Sequence, residues 1–260
     1  MHLSREDLEE LYRTYSRKRF IHPDPIEFLF KYPKEEREIV GLAAALLAYG
    51  RVAQILKSVQ GVLNRLGSPT ETTLSASRAD LRRLFRDFKH RFTTGGEAAA
   101  LLFSAGKIIA ANGSLGQFVK EAHVPDAPTI LPAMKALTDA LTDGARGECP
   151  SLVSDPGRGS ACKRLNLYFR WMIRKDRVDP GGWPVSPSTL VIPLDTHMHR
   201  FALSHGLTAR KAADMKTAIE ITDGFRPFNP KDPTKYDFAV TRLGILKTAG
   251  IEVGSPTKTT

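Results

Sequence analysis

The stretch GRGSACKRLNLYFRWMIRKD, residues 157–176, predicts a glycine-bearing turn followed by an amphipathic helix that begins near Ala161. One face of such a helix is apolar and holds Cys162, Leu165, Phe169 and Met172. Another face is polar and basic and holds Lys163, Asn166, Arg170 and Arg174. A glycine turn at a helix N-terminus can present backbone N–H groups to a phosphate, which favours a DNA contact on this side. The alternative is an ordinary amphipathic surface helix with solvated arginines.

A second segment, STLVIPLDTHMHRFALSHGLT at residues 188–208, predicts an apolar approach and then a short helix. Asp195 takes the N-cap position, where Asp is favoured because its carboxylate accepts backbone N–H bonds. Met198, Phe201 and Ala202 would form the buried stripe, and Gly206 would end the helix. Taken alone, an Asp at this position is far more often a cap than a catalyst.

Both segments resemble the helix-hairpin-helix DNA glycosylase superfamily, in particular the endonuclease III type. In that superfamily a Val-Asp-Thr-His phrase opens a helix that closes with Arg, and this sequence has LDTHMHR at residues 194–200. A glycine-rich hairpin there leads to a Lys with an Asn three residues later, and CKRLN places Lys163 and Asn166 in that relation. The sequence is most similar to an uncharacterised prokaryotic branch without the iron–sulfur cluster.

The resemblance implies an all-α, two-lobed helical fold and a DNA glycosylase with AP-lyase activity, acting in base-excision repair on a flipped damaged or modified base. Lys163 would attack the sugar C1′ and form a Schiff base, and Asp195 would assist by stabilising the positive charge that develops there. The implied partner is double-stranded DNA that contains such a base, and neither a cofactor nor a metal is implied. The implied DNA contacts are Tyr49, Arg51, Arg158, Gly159, Ser160, Asn166, Arg170, Arg174, His197 and His199.

Tyr49 and Arg51 come from a third match. IVGLAAALLAYGR at residues 39–51 resembles the apolar helix that enters the lesion-probing loop of the superfamily. The sequence also departs from the pattern, because the hairpin is longer and RKDRVDPGGWPVSP is inserted between Lys163 and Asp195. The four-cysteine cluster of endonuclease III is missing as well.

The rest of the chain has helical periodicity, with no alternation long enough to build a sheet. Ser4 can cap a first helix, and residues 35–48 predict a buried central helix that Gly50 ends before another begins at Arg51. A very basic helix is expected over residues 78–92, and others over 97–112 and near 131–141. We expect one unit over residues 1–250, either undivided or as two lobes around a cleft, and a disordered tail over 251–260.

The composition favours a partner that is a polyanion, because 38 Lys and Arg against 28 Asp and Glu give a net charge of +10. The only cysteines, Cys149 and Cys162, are too few for a disulfide framework or a four-thiolate metal site. The N-terminal sequence has no signal-peptide pattern, and no apolar run is long enough for a membrane span. We therefore expect a cytoplasmic, nucleoid-associated monomer with no membrane contact.

Other sites are less well supported. A metal site at Asp195, His197 and His199 is disfavoured because an i, i+2 spacing points two imidazoles to different faces of a helix. Ser160 and Cys162 lack a recognisable base partner, so a hydrolase triad is unsupported. Trp183 fits loop packing, with stacking on a flipped base as its functional alternative. The main functional alternative is a non-catalytic DNA-binding protein that retains the glycosylase fold.

Overall fold

The structure, a computed structural model, describes residues 3–248, with side chains through residue 246. The α-helices are α1 (Arg5–Tyr15), α2 (Arg37–Leu46), α3 (Val52–Leu66), α4 (Pro69–Ser75), α5 (Arg78–Leu84), α6 (Gly95–Asn112), α7 (Leu115–Glu121), α8 (Leu131–Gly144), α9 (Lys163–Ile173), α10 (Thr196–Ser204), α11 (Met215–Phe225) and α12 (Asp237–Thr248). The strands β1 (Lys89–His90) and β2 (Thr93–Thr94) form an antiparallel hairpin, and short 3-10 helices cover 18–20, 25–30, 34–36, 156–158 and 187–189. The expectation of an all-α fold is confirmed, whereas the expected tail at 251–260 lies outside the described residues.

Local sequence signals place most of these helices. Ser4 caps α1 in a capping box, since its hydroxyl accepts from Asp7 N at 3.1 Å and the Asp7 carboxylate accepts from Ser4 N at 3.1 Å. The central helix α2 is buried from Ile39 to Leu46, as its lack of a polar face predicts. Gly113, with φ of +83°, ends α6 where the Asn-Gly pair predicts a stop.

The basic helix expected over residues 78–92 is wrong beyond Leu84, because the chain turns there and forms the hairpin of β1 and β2. Tertiary packing overrides the local pattern, since Phe85, His90 and Thr93 are completely buried. Gly95 lets the returning chain pass against the backbone at Phe85, where an added Cβ would lie 1.7 Å from the Phe85 carbonyl oxygen. The sequence does not predict the helices α4, α7 and α11.

The buried apolar residues form one core cluster that extends from Leu8 to Val240. Within it, α2 packs against α9, α6 packs against α8, and α12 packs against both α1 and α10. The approach of α2 to α9 is close at Gly41, where an added Cβ would lie 3.2 Å from Tyr168 Cε2. The helices α9 and α10 therefore pack on the same hydrophobic core.

Among residues 3–248, no single helix is both long and apolar enough to cross a membrane. Only α6 and α7 taken together have the length and composition of a span, and these two helices are bent by 67° relative to each other.

Glu38, in the first turn of α2, joins three parts of the chain. Its carboxylate accepts from the backbone N–H groups of Leu115 at 2.8 Å and Gly116 at 2.9 Å, which begin α7. It also accepts from Trp183 Nε1 at 2.7 Å. The Trp183 indole is buried, is 5.1 Å from Tyr168 in an edge-to-face contact and lies over Gly116. Trp183 is therefore a packed residue, and stacking on a flipped base is excluded in this arrangement.

We expect Glu38→Ala to lower the free energy of unfolding by at least about 2 kcal/mol, because each buried donor left without an acceptor costs about 1–3 kcal/mol. Urea unfolding followed by circular dichroism measures this. Glu35→Ala, at an exposed position one turn earlier, is the matched control and should change stability little. Equal stabilities of the two variants would contradict the role given to Glu38.

Candidate functional site

Lys163 and Asp195, which are 32 positions apart in the sequence, meet in the structure. Lys163 is the first residue of α9 and Asp195 is the N-cap of α10. Lys163 Nζ lies 3.9 Å from Asp195 Oδ2, with the two side chains 40% and 15% exposed. Two helix N-termini thus converge on a surface-accessible amine and carboxylate.

The Asp195 carboxylate has two separate tasks. Oδ1 accepts from His197 N at 2.9 Å and from Met198 N at 2.8 Å, so it caps α10 as the sequence predicts. Oδ2 is the oxygen that faces the Lys163 amine. The capping role and a chemical role therefore do not compete, because different oxygens of one carboxylate serve them.

The start of α9 is held by hydrogen bonds on both sides of Lys163. Arg164 donates to Leu46 O at 2.6 Å and to Ser151 O at 2.8 Å. The Asn166 amide donates to Ala161 O at 2.9 Å. These contacts fix the backbone that carries Lys163 while its own side chain remains partly exposed.

The hairpin before α9 is tied to α11. Gly159 is left-handed, with φ of +80°, and its carbonyl accepts from Met215 N at 3.0 Å. Ser160 forms an isolated antiparallel bridge with Asp214. Arg158, Gly159 and Ser160 are all exposed. Their expected contact with phosphate remains a prediction that this exposure permits.

A cavity of about 400 Å³ opens beside Lys163. Tyr49 forms part of its wall, and the Arg164 guanidinium lies 4.9 Å from the centre of the Tyr49 ring. Burial lowers the pKa of Arg164 from its usual value, and the nearby Tyr49 opposes that shift. The wall as a whole is formed by Ala48, Tyr49, Gly50, Leu152, Ser154, Ser160, Cys162, Lys163, Arg164 and Leu165. Leu152, Cys162 and the Tyr49 ring make this wall partly apolar, with polar groups at Lys163, Ser154 and Ser160.

The expected basic face of α9 is wrong beyond its first residue. Asn166, Arg170 and Arg174 are buried, so they cannot contact DNA phosphates as exposed side chains. The reason is that carboxylates of the inserted segment and of residues near the start of α12 cover this face. Such partners make it tolerable to bury the two guanidinium groups.

The buried arginines belong to a cluster that we call the charged core, formed by Arg170, Arg174, Asp176, Asp179, Asp232 and Asp237. Arg170 pairs with Asp179 at 3.1 Å and also with Asp237. Arg174 pairs with Asp179, with Asp176 at 3.0 Å and with Asp232 at 2.8 Å. The inserted segment therefore has a structural task, which is to supply Asp176 and Asp179 as counter-charges.

The charged core lies next to Asp195. Burial raises the pKa of the Asp237 carboxyl to about 6, against the lowering effect of Arg170, and the negative charge of Asp195 adds to the rise. Burial likewise raises the pKa of Asp179, while Arg170 and Arg174 lower it. Asp237, which the sequence analysis does not single out, therefore interacts electrostatically with Asp195. The two Asp residues of the inserted segment, Asp176 and Asp179, were the available signal that carboxylates cover this face of α9.

The remaining predicted contacts divide into packed and exposed residues. His199 Nε2 lies 2.8 Å from Arg210 O and must donate to that carbonyl, so this nitrogen is occupied. His197 packs on α12, where a Cβ added to Gly244 would lie 2.8 Å from His197 Nδ1. Both histidines are packed side chains that remain half-buried. Arg51, at the N-cap of α3, is exposed, and Tyr49 is half-buried.

Within residues 3–248, no group of three or more His, Cys, Asp or Glu side chains is arranged to hold a metal ion. Burial raises the pKa of the Cys162 thiol, and a hydrogen bond from Ser160 opposes the rise. Cys162 is thus suited to packing in the cavity wall rather than to nucleophilic attack as a thiolate.

Comparison with known proteins identifies one family. The sequence model described as "Protein of unknown function (DUF2400)" matches residues 24–246, which include Lys163, Asp195 and the charged core. Comparison with curated proteins and with solved structures gave no significant match.

We expect Arg170→Gln to lower the free energy of unfolding by about 3–5 kcal/mol, because it leaves buried carboxylates without their counter-charge. Denaturant unfolding at neutral pH measures the change. Arg177→Gln removes an exposed arginine of the inserted segment and should leave stability within about 0.5 kcal/mol of wild type. If Arg170→Gln were as stable as Arg177→Gln, the charged core would not support the fold.

Proposed function

This chain belongs to the DUF2400 family of proteins of unknown function, and we propose that it is a base-excision DNA glycosylase with AP-lyase activity. The observation that carries the proposal is the approach of Lys163 Nζ to Asp195 Oδ2, 3.9 Å apart at two converging helix N-termini. The helical architecture is compatible with the helix-hairpin-helix glycosylase fold that the sequence motifs resemble, and we include that fold in the proposal.

The proposed chemistry uses both side chains at the sugar of an extrahelical nucleotide. Lys163, as a neutral amine, forms a bond to C1′ while the C1′–N bond breaks and its electron pair leaves with the base. The carboxylate of Asp195 stabilises the positive charge that develops at C1′ and then takes a proton from the attached amine, while the departing base takes a proton from water. The C1′–O4′ bond then breaks and O4′ takes the proton that Asp195 holds, which gives a Schiff base at Lys163. β-Elimination removes a proton from C2′ and expels the 3′-phosphate, which breaks the strand.

The surroundings of the pair support this chemistry. The cavity of about 400 Å³ beside Lys163 has the volume that a small-molecule site needs, and an aromatic ring forms part of its wall. Asp195 is held by two backbone N–H bonds, so its free oxygen keeps a fixed position when a substrate arrives. A preorganised carboxylate of this kind is worth more than one that must reorient during the reaction.

The partner that fits the surface is duplex DNA. The net charge is +10, and exposed cations lie on the segments around the cavity, at Arg51, Lys89, Arg91 and Arg158. Since Arg170 and Arg174 are buried, these loop residues are the ones available to phosphates. We propose that the protein acts as a monomer on chromosomal DNA in the cytoplasm.

Borohydride should trap wild-type protein covalently on duplex DNA that contains its substrate base or an abasic site, because reduction fixes the Schiff base. A panel of oligonucleotides, each with one damaged or modified base, identifies the substrate. Lys163→Gln should bind the same DNA without being trapped. Lys175→Gln, which removes an exposed lysine beyond the end of α9, is the control and should be trapped like wild type.

Full trapping of Lys163→Gln would assign the covalent bond to another amine. Wild-type protein that binds DNA yet neither releases a base nor becomes trapped would favour the non-catalytic DNA-binding alternative.

Asp195→Asn separates the capping role of this residue from its proposed catalytic role. Asn retains a capping oxygen, so we expect a melting temperature within a few degrees of wild type. Loss of the charge near C1′ should lower the rate of base release on the order of 10²–10³-fold. Single-turnover kinetics and thermal denaturation on the same samples measure both. Base release at the wild-type rate would leave Asp195 with its capping role alone.

A further inference from the structure

The tip of the hairpin between β1 and β2 carries an exposed aromatic side chain. Phe92 is 62% exposed, more than any other large apolar side chain among residues 3–246. Its ring stacks on Tyr49, with centroids 4.9 Å apart and planes 25° apart. Because Tyr49 also forms part of the wall of the cavity beside Lys163, Phe92 contacts a side chain of that wall.

The hairpin below this tip is rigidly held. His90 is completely buried, with Nδ1 2.8 Å from Ser58 Oγ and Nε2 3.1 Å from Tyr49 O. Thr93 is completely buried too, and its hydroxyl lies 2.6 Å from Tyr49 Oη and 2.6 Å from Ser151 Oγ. The two residues before and after the tip therefore anchor it to α3, to the segment after α2 and to the segment before α9.

Tyr49 is equally constrained. Its hydroxyl donates to His90 O at 2.8 Å, and its ring contacts both Phe92 and the Arg164 guanidinium. A residue held in this way supports its neighbours, and its own contact with DNA stays a prediction. The aromatic side chain that projects from this region is Phe92.

The surroundings of Phe92 are basic. Lys89, Arg91 and Arg51 are exposed. Arg91 lies against the backbone after α2, since a Cβ added to Gly50 would lie 2.9 Å from its guanidinium nitrogen Nη1. An exposed phenyl ring on a hairpin that also carries exposed cations matches a nucleic acid, in which stacked bases lie between two lines of phosphates. An apolar protein surface would not compensate these charges.

We propose that Phe92 is a wedge that enters the base stack of duplex DNA and fills the space left by the nucleotide that moves towards Lys163. This inference rests on the proposed function, because it requires duplex DNA as the partner. Apolar side chains inserted between base steps unstack and kink a duplex, and the cost of unstacking is offset by contacts with the inserted group. Phe92 stacks on Tyr49, whose ring the Arg164 guanidinium also contacts, and this support positions the wedge. Phe92 is a positioning residue and takes no part in the bond changes at C1′.

The test measures base opening directly and does not depend on base release. The probe is a duplex with 2-aminopurine mispaired with cytosine, whose fluorescence rises when the base leaves the stack. We expect saturating wild-type protein and Lys163→Gln to raise the fluorescence alike. Phe92→Ala should open the probe less by on the order of tenfold or more, since one base–aromatic stack is worth about that much in an equilibrium constant.

Two variants make the result specific. Phe92→Trp keeps an aromatic ring and should restore opening. Phe30→Ala removes another exposed phenylalanine, 38% exposed and outside the cavity wall, and should behave as wild type. All variants should melt near the wild-type temperature, because Phe92 is mostly in water.

Opening by Phe92→Ala equal to that by wild type would overturn the wedge, and so would wild-type binding without any opening. A change of oligomeric state in Phe92→Ala, with opening unchanged, would assign the ring to a contact between copies of the chain. The glycosylase proposal is judged separately by borohydride trapping. Trapping without Phe92-dependent opening would refute only the wedge, whereas opening that depends on Phe92 without trapping would refute only the lyase.

Discussion

Burying charge is the constraint on which the rest of this structure depends. Arg170 and Arg174 lie inside the protein, where an unpaired guanidinium would cost several kcal/mol. Their carboxylate partners come from the inserted segment and from residues near the start of α12. Because α12 packs on α10, whose N-cap is Asp195, the ion pairs that satisfy α9 also connect it to the element that supports α10. The charged core therefore links the two helices that carry Lys163 and Asp195.

The long segment between α9 and α10 has a structural role in this arrangement. The segment after α9 turns back onto that helix, where Asp176 and Asp179 pair with its arginines. Asp179 pairs with both Arg170 and Arg174, and Trp183 Nε1 donates to the Glu38 carboxylate at 2.7 Å. The inserted segment thus adds ion pairs and a hydrogen bond that connect α9 with α2, and these contacts support the helix whose first residue is Lys163.

The sequence predicts the local features of the site and misses those that depend on tertiary contacts. The N-cap at Asp195 and the start of α9 near Lys163 follow from residue type and spacing, and the structure has both. The same helical spacing predicts that Arg170 is on the face of Lys163, which is correct, but spacing does not say what covers that face. Only the return of the chain with Asp179 and Asp237 decides that Arg170 is buried. Binary patterning treats arginine as a surface residue, and this assumption fails wherever the fold supplies carboxylates.

The hairpin of β1 and β2 is a second feature that the local sequence pattern does not predict. RRLFRDFKHRF has the periodicity of a basic helix, yet Phe85 and His90 are buried on opposite sides of a turn that no local signal specifies. The cost of breaking the helix is offset by burial of Phe85 and by the hydrogen bonds of His90 and Thr93. The apolar residue of this segment that stays exposed is Phe92. A fold that buries Arg170 and Arg174 and exposes Phe92 reverses the usual partition of residue types. A single exposed phenyl ring is common on protein surfaces, so what distinguishes Phe92 is its stack on Tyr49 and the exposed cations of the same hairpin, Lys89 and Arg91.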